Sequence, residues 1–255
     1  VAVAIEIVLR RSVFLQQKAL HRGGIGGEFF FGGGMIPTFL VIKGLGLSTN
    51  LDKDFEEISN KMKSEPEKDY AASRGEFLNG KIMAAYLGVE FIDAAEVIFF
   101  NSEGNLNSYK TEKMLASRLA ECDRAVVPGF YGSYPNGDIK LFSRGGSDIT
   151  GSILAKVTKA IRYENYTDVN GFYMASPKII KNPLMIKEIT YNELRELSYM
   201  GASVLHEDAV FPVRKAGIPI NIRNTNAPED PGTLIGKEPE KNGVIGVSAL
   251  GGLSK

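Results

Sequence analysis

Apolar and polar positions become regularly ordered from about residue 47, where helical periods alternate with short strand-like runs. Apolar residues at helical spacing predict helices over residues 47–62, 70–88, 107–122, 147–160, 191–201 and 203–217. Apolar runs bounded by turn residues predict strands over residues 89–94, 95–100, 124–127, 139–143, 161–169 and 218–224. Because strands alternate with helices, the pattern predicts an α/β fold whose mostly parallel sheet is covered by helices on both faces.

Residues that start or stop helices support these boundaries. Asp52 is predicted as the N-cap of the first helix, and Gly88 and Gly217 follow helical patterns where glycine commonly ends a helix. The segment PNGD at residues 135–138 is typical of a hairpin turn. In a parallel sheet a ligand is expected beyond the carboxyl ends of the strands. Polar residues at those ends are therefore the first candidates for a site.

The two ends of the chain differ from this ordered part. Seven glycines lie between Gly23 and Gly34, around three consecutive phenylalanines, and residues 1–46 show neither a helical nor a strand period. We interpret residues 1–46 as an atypical or poorly determined N-terminal segment. A disordered segment and a flexible phosphate loop are the other interpretations. Residues 236–255 are similarly loose.

Composition and charge narrow the class of protein. The 255 residues include 30 basic and 30 acidic side chains, so overall charge gives no reason to expect nucleic acid or a membrane surface as partner. Cys122 is the single cysteine, which excludes an internal disulfide and fits a reducing cytosol. No cluster of cysteine and histidine indicates zinc, and no metal-ligating residue is predicted. We expect a soluble, cytoplasmic protein that acts on small molecules.

The segment FSRGGSD, residues 142–148, is the strongest candidate for chemistry. Gly145 and Gly146 allow the backbone to approach a ligand closely, and Ser147 or Asp148 is predicted to cap the helix that follows. Arg144 is suited to binding a carboxylate through two parallel hydrogen bonds, and Asp148 to pairing with an ammonium group. A ligand that carries both charges, an α-amino acid, would use this pair. An internal Arg144–Asp148 salt bridge beside a capping serine is the alternative.

Two further segments carry candidate residues. Glu76 follows a glycine inside a predicted helix and would supply a second carboxylate for an ammonium group; the alternative is a kinked helix with Glu76 in solvent. Thr167 and Asp168 lie at the carboxyl end of the strand 161–169, where a ribose or a base would be bound, and Lys178 would meet a phosphate. The alternative for this segment is an ordinary polar loop.

Several segments, in their order and spacing, resemble the aspartokinases of the amino acid kinase family. The resemblance runs from about Leu47 to Ile235. It rests on DYAASRGEFLNGK, EFIDAAEVI, VVPGFYG, FSRGGSDITGSILA, YENYTDVNGF, ITYNELRELSYMGASVLHEDAVFPVRKAGIPINIRNT and EDPGTLI. Sister kinases for acetylglutamate, glutamate, carbamate and uridylate share the fold but do not usually combine SRGE, SRGGSD and MGASVLHE.

The resemblance implies a fold, a reaction and a domain organisation. The fold would be the three-layer α/β/α sandwich of amino acid kinases, formed by residues 47–235, with residues 236–255 starting a linker toward ACT regulatory domains. The reaction would be ATP-dependent phosphorylation of the L-aspartate side chain to 4-phospho-L-aspartate, the first step of lysine, threonine and methionine biosynthesis. ATP and Mg²⁺ would be the cofactors, L-aspartate and ATP the partners, and a homo-oligomer the expected assembly.

The resemblance also implies roles for single residues. Arg144 and Asp148 would be the catalytic residues: Arg144 would bind a substrate carboxylate, and Asp148 would hold the ammonium group together with Glu76. The neighbouring backbone of Gly145, Gly146 and Ser147 would complete the substrate site. The nucleotide would be bound by Thr167, Asp168, Tyr173, Lys178 and Ser203.

The chain departs from the family pattern at three places. The family opens with a strand ending in Lys-Phe-Gly-Gly-Thr/Ser, which is not found here, and Lys43 is no substitute because it lacks the strand context. Ser203 stands where many members carry lysine, and residues 176–178 read Ser-Pro-Lys where many read Asp-Pro-Arg. Two alternative functions therefore stay open: a catalytically silent aspartokinase-like subunit that binds an amino acid or effector, and a sister kinase with another substrate.

Overall fold

A computed structural model describes residues 41–64, 67–175, 180–199, 205 and 207–236 of the chain. The chain divides into two compact units, which we call the N-terminal unit, up to Ser147, and the C-terminal unit, from Asp148 onwards. The predictions for Lys178, for Ser203 and for most of the two loose ends lie outside the described residues.

The N-terminal unit combines helices with short strands. Its described elements include the helices α1 (Asp52–Ser64), α2 (Lys68–Leu87), α3 (Ala94–Val97) and α4 (Ser108–Leu119), and the strands β1 (Glu90–Phe91), β2 (Ala125–Val126), β3 (Tyr131–Ser133) and β4 (Ile139–Leu141). Strands β1 and β2 pair in parallel, whereas β3 and β4 pair antiparallel on either side of the predicted turn at residues 135–138. The hairpin prediction is therefore confirmed.

Helix α2 supplies much of the core of the N-terminal unit. Its Leu78 and Ile82 belong to a buried cluster that also contains Val41, Ile42 and Leu51. Met83 and Ala84 form a second cluster with Val126 of β2. Burial of a large apolar side chain contributes about 1.5–3 kcal/mol. Within the described residues, Val41 and Ile42 thus belong to the core, although they lie inside the stretch whose sequence shows no period.

The C-terminal unit is built around one mixed sheet. It contains α5 (Gly146–Val157, whose first two residues precede the division), β5 (Tyr163–Thr167), β6 (Glu188–Thr190), α6 (Tyr191–Tyr199), α7 (Glu207–Ala216), β7 (Ile220–Asn224) and β8 (Thr233–Gly236). The strand order is β5-β7-β8-β6. Strands β5 and β7 run parallel, as do β6 and β8, while β7 and β8 are antiparallel. The α/β prediction is confirmed, although β6, β8 and the antiparallel pair were not predicted.

Local structure confirms some predicted element boundaries and corrects others. Gly88 ends α2 in the left-handed conformation, with φ of 64°, and Gly217 follows α7 with φ of 73°. The strand predicted over residues 95–100 is wrong in its first half, because the Asp93 carboxylate accepts a hydrogen bond from the Ala95 amide at 3.0 Å and caps α3.

Two predicted N-caps are also wrong. Asp52 is the first residue of α1, and its amide donates to Asn50 Oδ1 at 2.7 Å, so the local hydrogen bond comes from two residues earlier. Helix α5 begins at Gly146, which places Ser147 and Asp148 within the first turn rather than at the cap. A carboxylate in the first turn still interacts favourably with the helix dipole.

Candidate active site

The glycine turn before α5 contains an exposed arginine and two glycines, and each glycine is required for a different structural reason. Arg144 is exposed to solvent. Gly145 has φ of 55°, a left-handed conformation that side chains other than glycine rarely adopt. Gly146 is buried, and a Cβ added to it would lie 2.7 Å from Phe130 Cα and 2.8 Å from Phe142 Cβ. Glycine was predicted here so that a ligand could approach closely; at Gly146 it is the protein's own chain that packs closely.

Glu76 is half-buried on α2, which continues without interruption through Gly75. Burial raises the pKa of the Glu76 carboxyl above its usual 4.5. A Cβ added to Gly75 would meet no described atom within 4 Å. The alternative of a kinked helix with Glu76 in solvent is therefore not what the structure shows. A nearby cationic partner would stabilise the ionised form of this partly desolvated carboxyl group.

Two residues before Glu76, Arg74 lies among aromatic rings. Its guanidinium carbon is 4.5 Å from the centroid of the Tyr70 ring, 4.6 Å from that of Phe77 and 5.6 Å from that of Tyr131. Its Nε and Nη2 donate to Ser73 Oγ at 3.0 and 2.9 Å. Cation–π contacts of this kind fix the position of the arginine. Sequence analysis did not single out Arg74, although Tyr70 and Phe77 flank it at helical spacing on α2; only the Tyr131 ring comes from another element.

Tyr131 connects this aromatic group to the start of α3. Its hydroxyl donates a hydrogen bond of 2.7 Å to Asp93 Oδ1, the oxygen that also caps α3. The Tyr131 side chain is fully buried, and burial, together with the Asp93 carboxylate, raises the pKa of its hydroxyl strongly. Tyr131 therefore stays protonated at neutral pH and serves as a hydrogen-bond donor within the N-terminal unit.

In the C-terminal unit, Asp148 is held by strand β5. Asn165 Nδ2 donates to Asp148 Oδ1 at 2.8 Å, and the same group contacts the Tyr163 hydroxyl at 2.8 Å. The Tyr163 hydroxyl lies 3.3 Å from the Asp148 carbonyl oxygen. Asp148 is only half-buried. Sequence analysis missed Asn165; the available signal was the period of two along the predicted strand 161–169, which places Tyr163, Asn165 and Thr167 on one face.

Three of the predicted nucleotide-binding residues lie at or just after the end of the same strand. Thr167 is the last residue of β5 and is buried, and its hydroxyl donates to Asp168 Oδ1 at 3.1 Å. Asp168 is exposed, and Tyr173 is half-buried and forms an isolated antiparallel bridge with Met185. Thr167 and Asp168 thus lie at the end of β5, and Asp148 is joined to the same strand through Asn165. Lys178 and Ser203 lie outside the described residues.

Two general features of the described part of the chain bear on its ligands. In that part, no three side chains among histidine, cysteine, aspartate and glutamate come together as a metal site. Among the described helices, none combines the length and apolar character that crossing a bilayer requires.

Comparison with known proteins gives the family. The model of the amino acid kinase family matches residues 31–224. The chain is 43% identical over 199 residues to aspartokinase 3 of Bacillus subtilis, a match that covers 73% of this chain and 44% of that protein. It is 34% identical over 200 residues to the aspartokinase of Rickettsia prowazekii, covering 74% of this chain and 45% of that protein. The chain therefore spans about half the length of the curated relatives it matches.

A solved structure agrees with these matches. The crystal structure of the aspartate kinase from Clostridium acetobutylicum superposes with a TM-score of 0.79 and 48% sequence identity, covering 91% of this chain and 53% of that one. The predicted amino acid kinase fold is confirmed. By its family model and its fold, the chain belongs to the amino acid kinase family.

Proposed function

We propose that the chain is the kinase part of an aspartate kinase, which transfers the γ-phosphoryl group of ATP to the side-chain carboxylate of L-aspartate. The observation that carries this proposal is its 48% identity to the Clostridium acetobutylicum aspartate kinase over 91% of the chain. The product, 4-phospho-L-aspartate, would enter lysine, threonine and methionine synthesis. We also propose a cytoplasmic homo-oligomer.

The amino acid would be recognised by its two charges. We assign the substrate carboxylate to Arg144, whose exposed guanidinium is suited to two parallel hydrogen bonds. We assign the ammonium group to Glu76 and Asp148. The buried setting of Glu76 supports this role, because a positive partner offsets the cost of keeping its carboxyl ionised. The backbone of Gly145, Gly146 and Ser147 would complete the substrate site.

The nucleotide would be bound at the carboxyl end of β5, by Thr167, Asp168 and Tyr173, with Lys178 and Ser203 near the phosphates. The exposed Asp168 carboxylate fits a contact to the ribose hydroxyls. The Mg²⁺ that we propose is the counter-ion of ATP, which takes most of its oxygen ligands from phosphate and water. When bound, Mg²⁺ would neutralise negative charge on the phosphates.

Catalysis would come from positioning. The acceptor is a carboxylate that is already ionised at neutral pH, so the chain needs no strong general base to activate it. Arg144, Glu76 and Asp148 would hold the amino acid in a fixed orientation toward the γ-phosphate, which is where phosphoryl-transfer enzymes gain most of their rate.

A turnover assay tests the proposal directly. The purified protein is mixed with ATP, Mg²⁺ and L-aspartate, and the acyl phosphate is trapped as its hydroxamate, with acetylglutamate and glutamate in parallel. We expect hydroxamate with aspartate alone. Turnover with another acceptor instead would indicate a sister kinase, and binding of aspartate without any turnover would indicate a silent subunit.

A further inference from the structure

The loop after β5, residues 168–175, which we call the β5 loop, carries two of the proposed nucleotide residues. Backbone hydrogen bonds pair it with the segment that leads to β6: Met174 N donates to Leu184 O, and Ile186 N donates to Phe172 O, both at 2.8 Å. These bonds align the two segments with each other. They do not by themselves fix the loop to the sheet, which requires contacts to a strand.

Thr233, the first residue of β8, supplies such a contact. Its hydroxyl accepts a hydrogen bond from the Phe172 amide at 2.9 Å and donates one to the Ile186 carbonyl at 2.6 Å. Thr233 is fully buried, so both bonds are shielded from water. One side chain thus holds both paired segments, and it comes from a position 61 residues after Phe172.

A second contact holds the same loop from the connection between β7 and β8. Asn170 Nδ2 donates to Asp230 Oδ2 at 2.8 Å, and Asn170 Oδ1 accepts a hydrogen bond from Asn224 Nδ2. Asn170 lies two residues after Asp168 and three before Tyr173. Both ends of the Asn170 side-chain amide are therefore hydrogen-bonded, which fixes the middle of the β5 loop.

Two glycines allow this close approach. Gly171 has φ of 132°, and a Cβ added to it would lie 2.3 Å from Thr233 Oγ1. Gly232 has φ of 73°, and its Cβ would lie 1.9 Å from the Ile222 carbonyl oxygen. Gly171 thus lets the loop approach Thr233 of β8, and Gly232 lets the chain just before Thr233 pass close to β7, at distances that only glycine permits at these positions.

We infer that Thr233 is a positioning residue for nucleotide binding, which holds the β5 loop so that Asp168 and Tyr173 present one fixed geometry to ATP. Asp230 acts in the same way through Asn170, as a second and weaker anchor. This inference rests on the proposed function, since it assumes that the β5 loop binds the nucleotide. A loop held in its binding geometry loses less conformational entropy when the ligand binds.

Thr233→Val is the variant that tests the inference, because it keeps the shape of the side chain and removes the hydroxyl. Thr111→Val is the matched control: Thr111 is also fully buried, and its hydroxyl accepts from the Phe99 amide at 3.0 Å in the N-terminal unit. Thr233→Ser restores the hydroxyl. Asp230→Ala tests the second anchor if Thr233→Val does not fold.

The measurements are the Kd of MgATP by titration calorimetry and the KM values of ATP and aspartate in the hydroxamate assay. For Thr233→Val we expect the Kd and KM of ATP to rise about tenfold, the scale of one buried hydrogen bond, with the KM of aspartate unchanged. Thr233→Ser should bind ATP like wild type, and Thr111→Val should lose stability without losing ATP affinity. Asp230→Ala should raise the Kd of ATP about threefold.

The outcomes separate this inference from the proposed function. Unchanged ATP affinity in Thr233→Val, or an equal loss in Thr111→Val, overturns the positioning role while wild-type turnover leaves the proposed function intact. A wild-type protein that binds no ATP overturns both. A silent subunit that binds ATP without turnover removes the proposed function, and the calorimetric comparison then still decides the role of Thr233.

Discussion

Arg144 is the residue on which recognition of the amino acid depends in our proposal. Arg144→Ala removes a charge-assisted pair of hydrogen bonds to a carboxylate, which is worth roughly 1.5–3 kcal/mol. We expect the KM of aspartate to rise by about one to two orders of magnitude, with the KM of ATP little changed, in the hydroxamate assay. Arg195→Ala, which removes another exposed arginine on α6, is the control. Equal damage to both KM values would contradict the assignment.

Glu76 is a residue at which stability and the proposed function oppose each other. Burial raises its pKa in the folded chain, so the ionised carboxylate costs stability that an ammonium partner would offset. We expect Glu76→Gln to raise the KM of aspartate about tenfold and yet to raise the free energy of unfolding at neutral pH, measured without ligand. A variant that loses stability and keeps its KM would place Glu76 outside the substrate site.

The pH dependence of stability gives an independent check on Glu76. Between its usual pKa of 4.5 and the raised value, the folded chain retains a proton that the unfolded chain has released. The contribution of Glu76 to the free energy of unfolding therefore falls as pH rises through that window. Denaturant titrations should show this fall in wild type and a smaller one in Glu76→Gln. Parallel curves would mean that the pKa is not raised.

At the scale of elements, the start of α5 is set by packing as well as by its own sequence. A Cβ on Gly146 would meet the backbone of Phe130, which has no freedom to move aside as a flexible side chain has. We expect Gly146→Ala to lower the free energy of unfolding by about 1–3 kcal/mol. Gly75→Ala is the matched control, because its site is open and helical, and alanine there should add about 0.5–1 kcal/mol.

The same control carries information about function. If Gly75 is present so that a ligand can approach α2 closely, Gly75→Ala will weaken aspartate binding while it stabilises the fold. Calorimetric titration with aspartate measures this directly. Stabilisation with unchanged binding would leave Gly75 without a role that the described contacts explain.

Elements with strong local signals were predicted well, whereas α3 and β8 were not. The long helix α2 and its end at Gly88 follow from apolar spacing and a glycine stop, and both are observed. Helix α3 was predicted as a strand, because its four residues carry too little periodicity to outweigh the apolar residues after it. The cap of α3 is Asp93, but an aspartate before a short apolar run also occurs in turns, so it did not identify a helix. Strand β8 was likewise not predicted.

At the scale of the whole molecule, ligand binding should appear as added stability. A ligand that binds only the folded chain adds about 2.7 kcal/mol at one hundred times its Kd. We expect MgATP and aspartate each to raise the Tm in thermal unfolding, and uridine or glutamate at equal concentration to raise it less. Magnesium chloride alone is the control for ionic effects. A Tm that responds to neither ATP nor aspartate would contradict the proposed function.

The sequence by itself determined the chemical types available to the site and the elements with repeating patterns. The charges of Arg144 and Asp148 around two glycines, and the helix that follows, are local features that a reader of the chain can recognise. The fold class also followed, because the alternation of helices and strands is spread along the whole ordered part. These predictions succeed because local preference and the overall fold agree in these elements.

Only the tertiary structure decided which distant residues meet. It partly buried Glu76, joined Asp148 to Asn165 and placed the Thr233 hydroxyl against the β5 loop. It also paired β7 antiparallel with β8 inside a sheet whose other pairs are parallel. None of these arrangements can be recognised within one segment, because each brings together residues from different elements of the chain. Burial and close packing, which set the pKa of Glu76 and the need for Gly146, arise only when those elements come together.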